Sequence, residues 1–539
     1  MKKLIVLLVL CCLQAATAQP RLVVVISLDQ FPYDYISRFR PWFGEGGFNY
    51  LLDHGANFSN ATYKHALNMT GPGHAVILSG SYGNQNGIIA NDWYDPEGHR
   101  GVYCVRDTVA HTLGASAPGV SPRNFLGSTF GDQLRLHTSF RSRVVAVSNK
   151  DRAAILMGGI MANAAYWMVD SAFVSSDYYM NELPSWVNEF NESGMVTSYF
   201  GQSWEKCLPE DAYQSVDEDD VPYENAGANG RTFPHRITGE STSRVTRSYF
   251  NAVLTSPFGS EILAAFAREA VRNEELGQRG VTDLLCVSFS SNDYVGHAFG
   301  PNSQEVMDMT VRTDKILNDF FAFLDLEVGL GNCLIVLTSD HGVAPIPEYV
   351  LAHSGSTDAG RVKGDVLTSF CNASLAKAFG ARKKGNWIEA ISNNNIYINR
   401  EAVRERKTTL EAASAALADS LRTMHAIGAA YSREEMIAMV PNSRVEQCMR
   451  RSFHPVRSGD VFYALRPFYI EGYAPTGTTH GEPYDYDAHV PLLICGDGIR
   501  NNTFMTEASP ADIGPTLSTL LGITAPAARE GRVLVEALK

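Results

Sequence analysis

Within SNDYVGHAFGP, residues 291 to 301, Asp293 and His297 stand four apart. On a helical turn that spacing brings both side chains to one face, within reach of one cation. TSDHGV, residues 338 to 343, adds Asp340 and His341. These neighbours can face one site only where the chain bends, as Gly342 permits. His480 lies in the Gly- and Thr-rich loop GTTHGEP, and Asp29 ends the first apolar run of the chain. Three aspartates and three histidines form a mixed donor set that suits zinc. They exceed one tetrahedral site. With Thr70 as a seventh donor they suffice for two metals of three and four protein ligands, substrate or water completing each. Any one piece alone reads as a polar turn or a helix surface; their joint placement points to metal chemistry.

Thr70 precedes Gly71, Pro72 and Gly73 and an apolar, helix-like run. It reads as a residue at a helix start, where it can cap or, beside metal ions, act as a nucleophile with backbone N–H groups favouring phosphoryl oxygens. His74 has ligand spacing from Thr70 but reads as packed or supporting, and His489, His54 and His65 read as structural.

These residues need elements to hold them. LVVVISL at 22 to 28 is a short β-rich run with the pattern of a fully buried strand, and comparable runs recur at 143 to 148, 283 to 290, 333 to 339 and 490 to 496. Between several of them lie helical patterns such as 304 to 324. This alternation predicts an α/β fold with a mostly parallel central sheet flanked by helices on both faces. Asp29, Asp293 and Asp340–His341 all follow strands, where open α/β sheets bind ligands. The regions 155 to 280 and 345 to 475 read as insertions or a cap within one discontinuous catalytic domain spanning 19 to 539.

Lys2 and Lys3, the apolar run 4 to 13 and the Ala-Thr-Ala ending at Ala18 predict a signal peptide over 1 to 18 and an exported protein, periplasmic or secreted. No stretch predicts a membrane span. Seven cysteines remain after the leader, so at least one is unpaired within the chain. Cys286, Cys333 and Cys495 read as buried thiols, while Cys104, Cys207, Cys371 and Cys448 sit in polar surroundings and could pair. A formal charge of −13 with no basic block argues against nucleic acid as a partner. A monomer is expected.

The motifs SLDQ, NMTGPGHA, GIIANDWYD, SNKDR, SNDYVGHAFGP, TSDHG, THGEP and DIGPTLSTLLGI, in order from 27 to 523, closely resemble the alkaline phosphatase superfamily. The resemblance is to its nucleotide pyrophosphatase/phosphodiesterase-like branch, nearest the PafA-type secreted zinc phosphomonoesterases. It implies that Asp293, His297 and His480 hold one zinc, and that Asp29, Asp340, His341 and the Thr70 hydroxyl hold the other. It further implies in-line attack by Thr70, a phosphothreonine intermediate and its hydrolysis by zinc-bound hydroxide. Asn91 then resembles the neutral donor to a phosphoryl oxygen, and Lys150 and Arg152 resemble the residues that contact the phosphoryl group in the monoesterases.

Two divalent cations against three aspartates and one alkoxide leave such a site formally neutral. A monoester dianion therefore gains from two further cations, whereas a diester carries one charge fewer. The resemblance thus implies an alkaline phosphatase acting on phosphate monoesters with broad specificity. The alternatives are a phosphodiesterase or nucleotide pyrophosphatase of the same fold, and a non-catalytic metal- or phosphate-binding protein. The latter should lack a ligand or the nucleophile, and none is missing. A sulfatase needs a Cys or Ser nucleophile in a motif that TGPGHA is not. Asp151 has no assigned role.

Overall fold

The computed structural model of the protein describes residues 19–539 apart from Ala226, Ala228 and Tyr473. The expected signal peptide lies outside the described residues. Leu22–Leu28 is buried at every position, so it needs cover on two sides. It forms β1 of a ten-stranded sheet whose other strands are β2 (Ala56–Phe58), β3 (Thr112–Leu113), β4 (Val144–Ser148), β5 (Ala164–Val169), β6 (Ala172–Ser176), β7 (Asp283–Phe289), β8 (Cys333–Thr338), β9 (Leu492–Cys495) and β10 (Asn502–Phe504). Across the sheet the order is β10-β2-β9-β8-β1-β7-β4-β5-β6-β3. The five central strands, β8 to β5 in that order, are parallel. β6 and β9 run against their neighbours.

Six helices matter here: α1 (Thr70–Ser79), α2 (Asp151–Gly158), α3 (Pro257–Asn273), α4 (Ser291–Phe299), α5 (Gln304–Glu327) and α6 (Ile513–Leu521). Leu22, Val24, Ile26 and Leu28 enter a core with Ile262 and Phe266 of α3 and Leu317 and Phe320 of α5. Val23 and Val25 enter a second core with Ile77 of α1, Ile155 of α2 and Leu517 of α6. The period-two alternation of one strand thus feeds both layers, each buried aliphatic side chain contributing roughly 1.5–3 kcal/mol. Val24→Asp would bury an unpaired charge between the sheet and α3.

The span 155 to 280 is not one insertion. Half of α2, both β5 and β6, and α3 lie inside it and belong to the sheet or its cover. The runs AAYWMV and AFVSS are short and joined by a tight turn with Asp170 at φ 51°, so they are easily lost in polar sequence. Within 345 to 475, a separate antiparallel sheet of Ile388–Ser392, Asn395–Ile398, Val461–Leu465 and Ile427–Ser432 packs its own core, including Leu367, Leu375, Ile396 and Leu417. All seven cysteines after residue 18 are free, and the expected polar surroundings are absent: Cys104, Cys371 and Cys448 are buried and Cys207 half-buried. Their neighbours in sequence are polar, but their own side chains point inward. Among the described residues no helix is long and apolar enough to cross a membrane.

Candidate active site

Parallel pairing aligns strand ends. Leu28 of β1 faces Phe289 of β7, and Ser27 faces Thr338 of β8, so Asp29, Asp293 and Asp340 emerge from adjacent strands at one edge. β9 runs antiparallel to β8, which brings the loop before it, with His480, back to that same edge. Asp293 and His297 lie on α4 one turn apart, His297 Nε2 being 3.2 Å from Asp293 Oδ1.

Two clusters of donor atoms result, each with its atoms within 4.8 Å of one another: Asp29, Asp340 and His341, and Asp293, His341 and His480. The second differs from the set implied by resemblance, because His341 reaches both clusters and stacks on His480 with ring centroids 3.6 Å apart. His297 joins through Asp293 and through the ring of His480, with centroids 5.0 Å apart. The residues fit a metal on structural grounds. Asp29 Oδ1, Asp340 Oδ2 and His341 Nε2 are buried without a hydrogen-bond partner. Each of the three histidines spends Nδ1 on a backbone carbonyl: His297 on Thr478 (2.8 Å), His341 on Gly342 (2.9 Å) and His480 on Asn68 (2.7 Å). That fixes the tautomer and leaves Nε2 as the donor atom.

The electrostatics match crowded carboxylates. Burial, then Asp340, push the Asp29 carboxyl well above the usual range. Burial opposes ionisation of Asp293 too, but Lys150 and His297 outweigh it and hold that carboxyl well below. Burial, then the two neighbouring imidazoles, keep His480 well below the usual histidine range and therefore neutral.

Thr70 is the first residue of α1 and is 1% exposed. Met69 is the N-cap, and no side chain caps this helix, so the capping reading of Thr70 does not hold. Its hydroxyl instead faces Arg152 Nη2 at 3.4 Å. Asn91 Oδ1 accepts from Gly71 N–H (2.7 Å), which orients the amide and leaves Nδ2 as a donor beside Thr70. Lys150 and Arg152 follow β4 at the start of α2. Lys150, expected on the phosphoryl group, makes ion pairs with Asp29 (2.7 Å) and Asp293 (2.6 Å). Three carboxylates converge there, and a buried ammonium requires such partners.

His74 is packed, its Nδ1 on Thr70 O and its Nε2 on Ser288 Oγ, both at 2.8 Å. His489 stacks on Tyr33, and His65 on Tyr63. Sequence reasoning missed Gln30. Its Nε2 donates to Asp293 (2.8 Å) and its backbone N–H to Asp340 (3.1 Å), from a residue at φ 60°. The only signal was its place after Asp29. It also missed Tyr103, whose hydroxyl touches both Asp151 and Arg152.

The sequence model of the family described as type I phosphodiesterase / nucleotide pyrophosphatase matches residues 23–476. Alkaline phosphatase PhoV of Synechococcus elongatus is 37% identical over 528 residues, covering 97% of this chain and 94% of that protein. The crystal structure of alkaline phosphatase PafA, a protein known from Elizabethkingia meningoseptica, is 34% identical and superimposes with a TM-score of 0.90 over 97% of this chain and 100% of that one. A second PafA structure, also at TM-score 0.90 and 33% identical, has a threonine, an asparagine, a lysine and an arginine replaced, the residue types that Thr70, Asn91, Lys150 and Arg152 supply here in the same order. The chain therefore belongs to the type I phosphodiesterase / nucleotide pyrophosphatase family, and nearly its whole length follows the family's alkaline phosphatases.

Proposed function

We propose that this chain is an alkaline phosphatase that hydrolyses phosphate monoesters, with Thr70 Oγ as the in-line nucleophile and broad tolerance of the leaving group. One observation carries the reading: the Thr70 hydroxyl stands between a cationic side, Arg152 at 3.4 Å, and a helix start whose Gly71 N–H fixes Asn91. Asp29, Asp340 and His341 on one side and Asp293, His297 and His480 on the other would hold two metal ions, with Thr70 completing the first set. Zinc at these positions supplies Lewis acidity that lowers the pKa of the threonine hydroxyl and stabilises the leaving oxygen.

The chain's own groups do the rest. Asn91 Nδ2 and the Arg152 guanidinium bind nonbridging oxygens of the substrate. Lys150, held on two of the carboxylates, keeps a positive charge at the same place, and these fixed charges favour a dianion over a diester monoanion. Thr70, covalently phosphorylated, is released when water attacks from the side the leaving group vacated. A matrix of one discontinuous domain over 19 to 539 carries this site, and export of a monomer completes the reading.

The test pairs two substrates and a chelator. Turnover of p-nitrophenyl phosphate should exceed that of bis-p-nitrophenyl phosphate and should vanish on metal removal and return with zinc. Equal or better diester turnover would move the assignment to phosphodiesterase, and activity indifferent to chelation would remove the metal from it.

A further inference from the structure

Asp151 lies between two cations in sequence, yet it pairs with neither. Lys150 turns to Asp29 and Asp293. Asp151 Oδ1 accepts the Tyr103 hydroxyl at 2.5 Å and the Arg152 backbone N–H at 2.7 Å. The Tyr103 oxygen in turn accepts from Arg152 Nη1 at 3.3 Å. Proton inventory fixes this order. A guanidinium only donates and a carboxylate only accepts, so a hydroxyl between them must donate to the carboxylate and accept from the guanidinium. Burial, with Asp151 next, pushes the Tyr103 phenol well above its usual range, so it remains a donor.

The placement is built by the chain that carries Asn91. The strand Asp92–Asp95 begins at the next residue and pairs with Arg100–Tyr103, Asp92 opposite Tyr103, and Cys104 N–H returns to Asn91 O at 2.8 Å. One hairpin therefore sets both the neutral donor and the hydroxyl that touches the cation.

We propose that Tyr103 is a positioning residue that holds the Asp151 carboxylate one hydroxyl away from Arg152. This anchors Nη1 without neutralising the guanidinium, and rests on the reading of Arg152 as a phosphoryl-binding group. A direct Asp151–Arg152 pair would occupy the planar fork that a phosphoryl dianion needs and would cancel its charge. Arg152 Nη2 points at Thr70 and its buried Nε has no partner, so donors remain for substrate.

The test uses the zinc-loaded protein and three variants. Tyr103→Phe should lower kcat/KM for p-nitrophenyl phosphate about tenfold and weaken inhibition by inorganic phosphate in step, with bis-p-nitrophenyl phosphate changing less than about twofold. Adding Asp151→Asn to Tyr103→Phe should restore most of the monoesterase activity, because an amide cannot neutralise Arg152. A merely structural tyrosine gives no such rescue. Equal loss on both substrates, or no recovery in the double variant, overturns the proposal. Arg152→Ala separates the two levels: if it spares monoesterase activity, the reading of Arg152 itself fails, and if it depresses that activity while Tyr103→Phe does not, only the positioning role fails.

Discussion

A Cβ at Gly73 would stand 2.2 Å from the backbone oxygen of Asp340 and 2.8 Å from its Cβ. The helix that begins at Thr70 thus rests directly on the strand end that carries Asp340 of the first donor cluster, and only a residue without a side chain permits it.

Gly73→Ala must push α1 off Asp340. Activity on p-nitrophenyl phosphate should fall about 100-fold or more, since small displacements of a nucleophile are costly. The accompanying drop in Tm should be a few degrees. Wild-type activity from a folded Gly73→Ala protein would refute the contact.

Gln30 ties Asp293 to Asp340 from a backbone position that glycine tolerates. Gln30→Gly therefore removes the side chain without adding strain, and should weaken metal affinity by roughly 10- to 100-fold, as loss of a group supporting ligands does. Titration of the metal-free protein with zinc reads this directly; an unchanged affinity would leave Gln30 without a supporting role.

Lys150 compensates carboxylates that are buried whether or not a metal is bound. Lys150→Met should destabilise chelator-treated protein by roughly 3–5 kcal/mol, the cost of breaking a buried pair. Zinc-loaded protein should lose far less, because the cation replaces the ammonium's charge. Melting curves with and without chelator compare the two, and equal losses would count against this compensation.

Glu224 is a buried acid outside the site. Burial, then Glu305 and Asp217, push its carboxyl up to about 10. The unfolded chain releases this proton near the ordinary glutamate range, so between that range and about 10 the folded state binds more protons and stability falls as pH rises. Glu224→Gln should flatten that slope and raise Tm by on the order of a few degrees at pH 8. Parallel Tm–pH curves for the two proteins from pH 5 to 9 would show that Glu224 ionises freely.

The convergence of Asp29, Asp293, Asp340, His341 and His480 is legible in sequence because parallel strands end at one edge, and runs such as LVVVISL announce themselves as buried. The pairing of His341 with both clusters is not legible, since neighbours on a chain give no sign of which bend they adopt. Gln30 and Tyr103 escape for a related reason: their roles are hydrogen bonds to residues 263 and 48 positions away, and nothing in their own spacing encodes the partner. The boundary of the first insertion fails because AAYWMV and AFVSS, the strands β5 and β6, are rich in Ala and Ser and lack the β-branched runs that mark β1 and β4.

β1 sits between β7 and β8, strands that follow it in the chain by more than two hundred residues, and β9 closes the sheet only near the end. Contacts this distant are slow to form and cannot form during early synthesis. Asp29, the first residue of the two donor clusters, is made long before His480, the last, so on the proposed function hydrolytic competence arrives late and all at once. A chain halted before residue 480 has Thr70 but not the full cluster around it, which would keep the phosphatase silent while it is still being made.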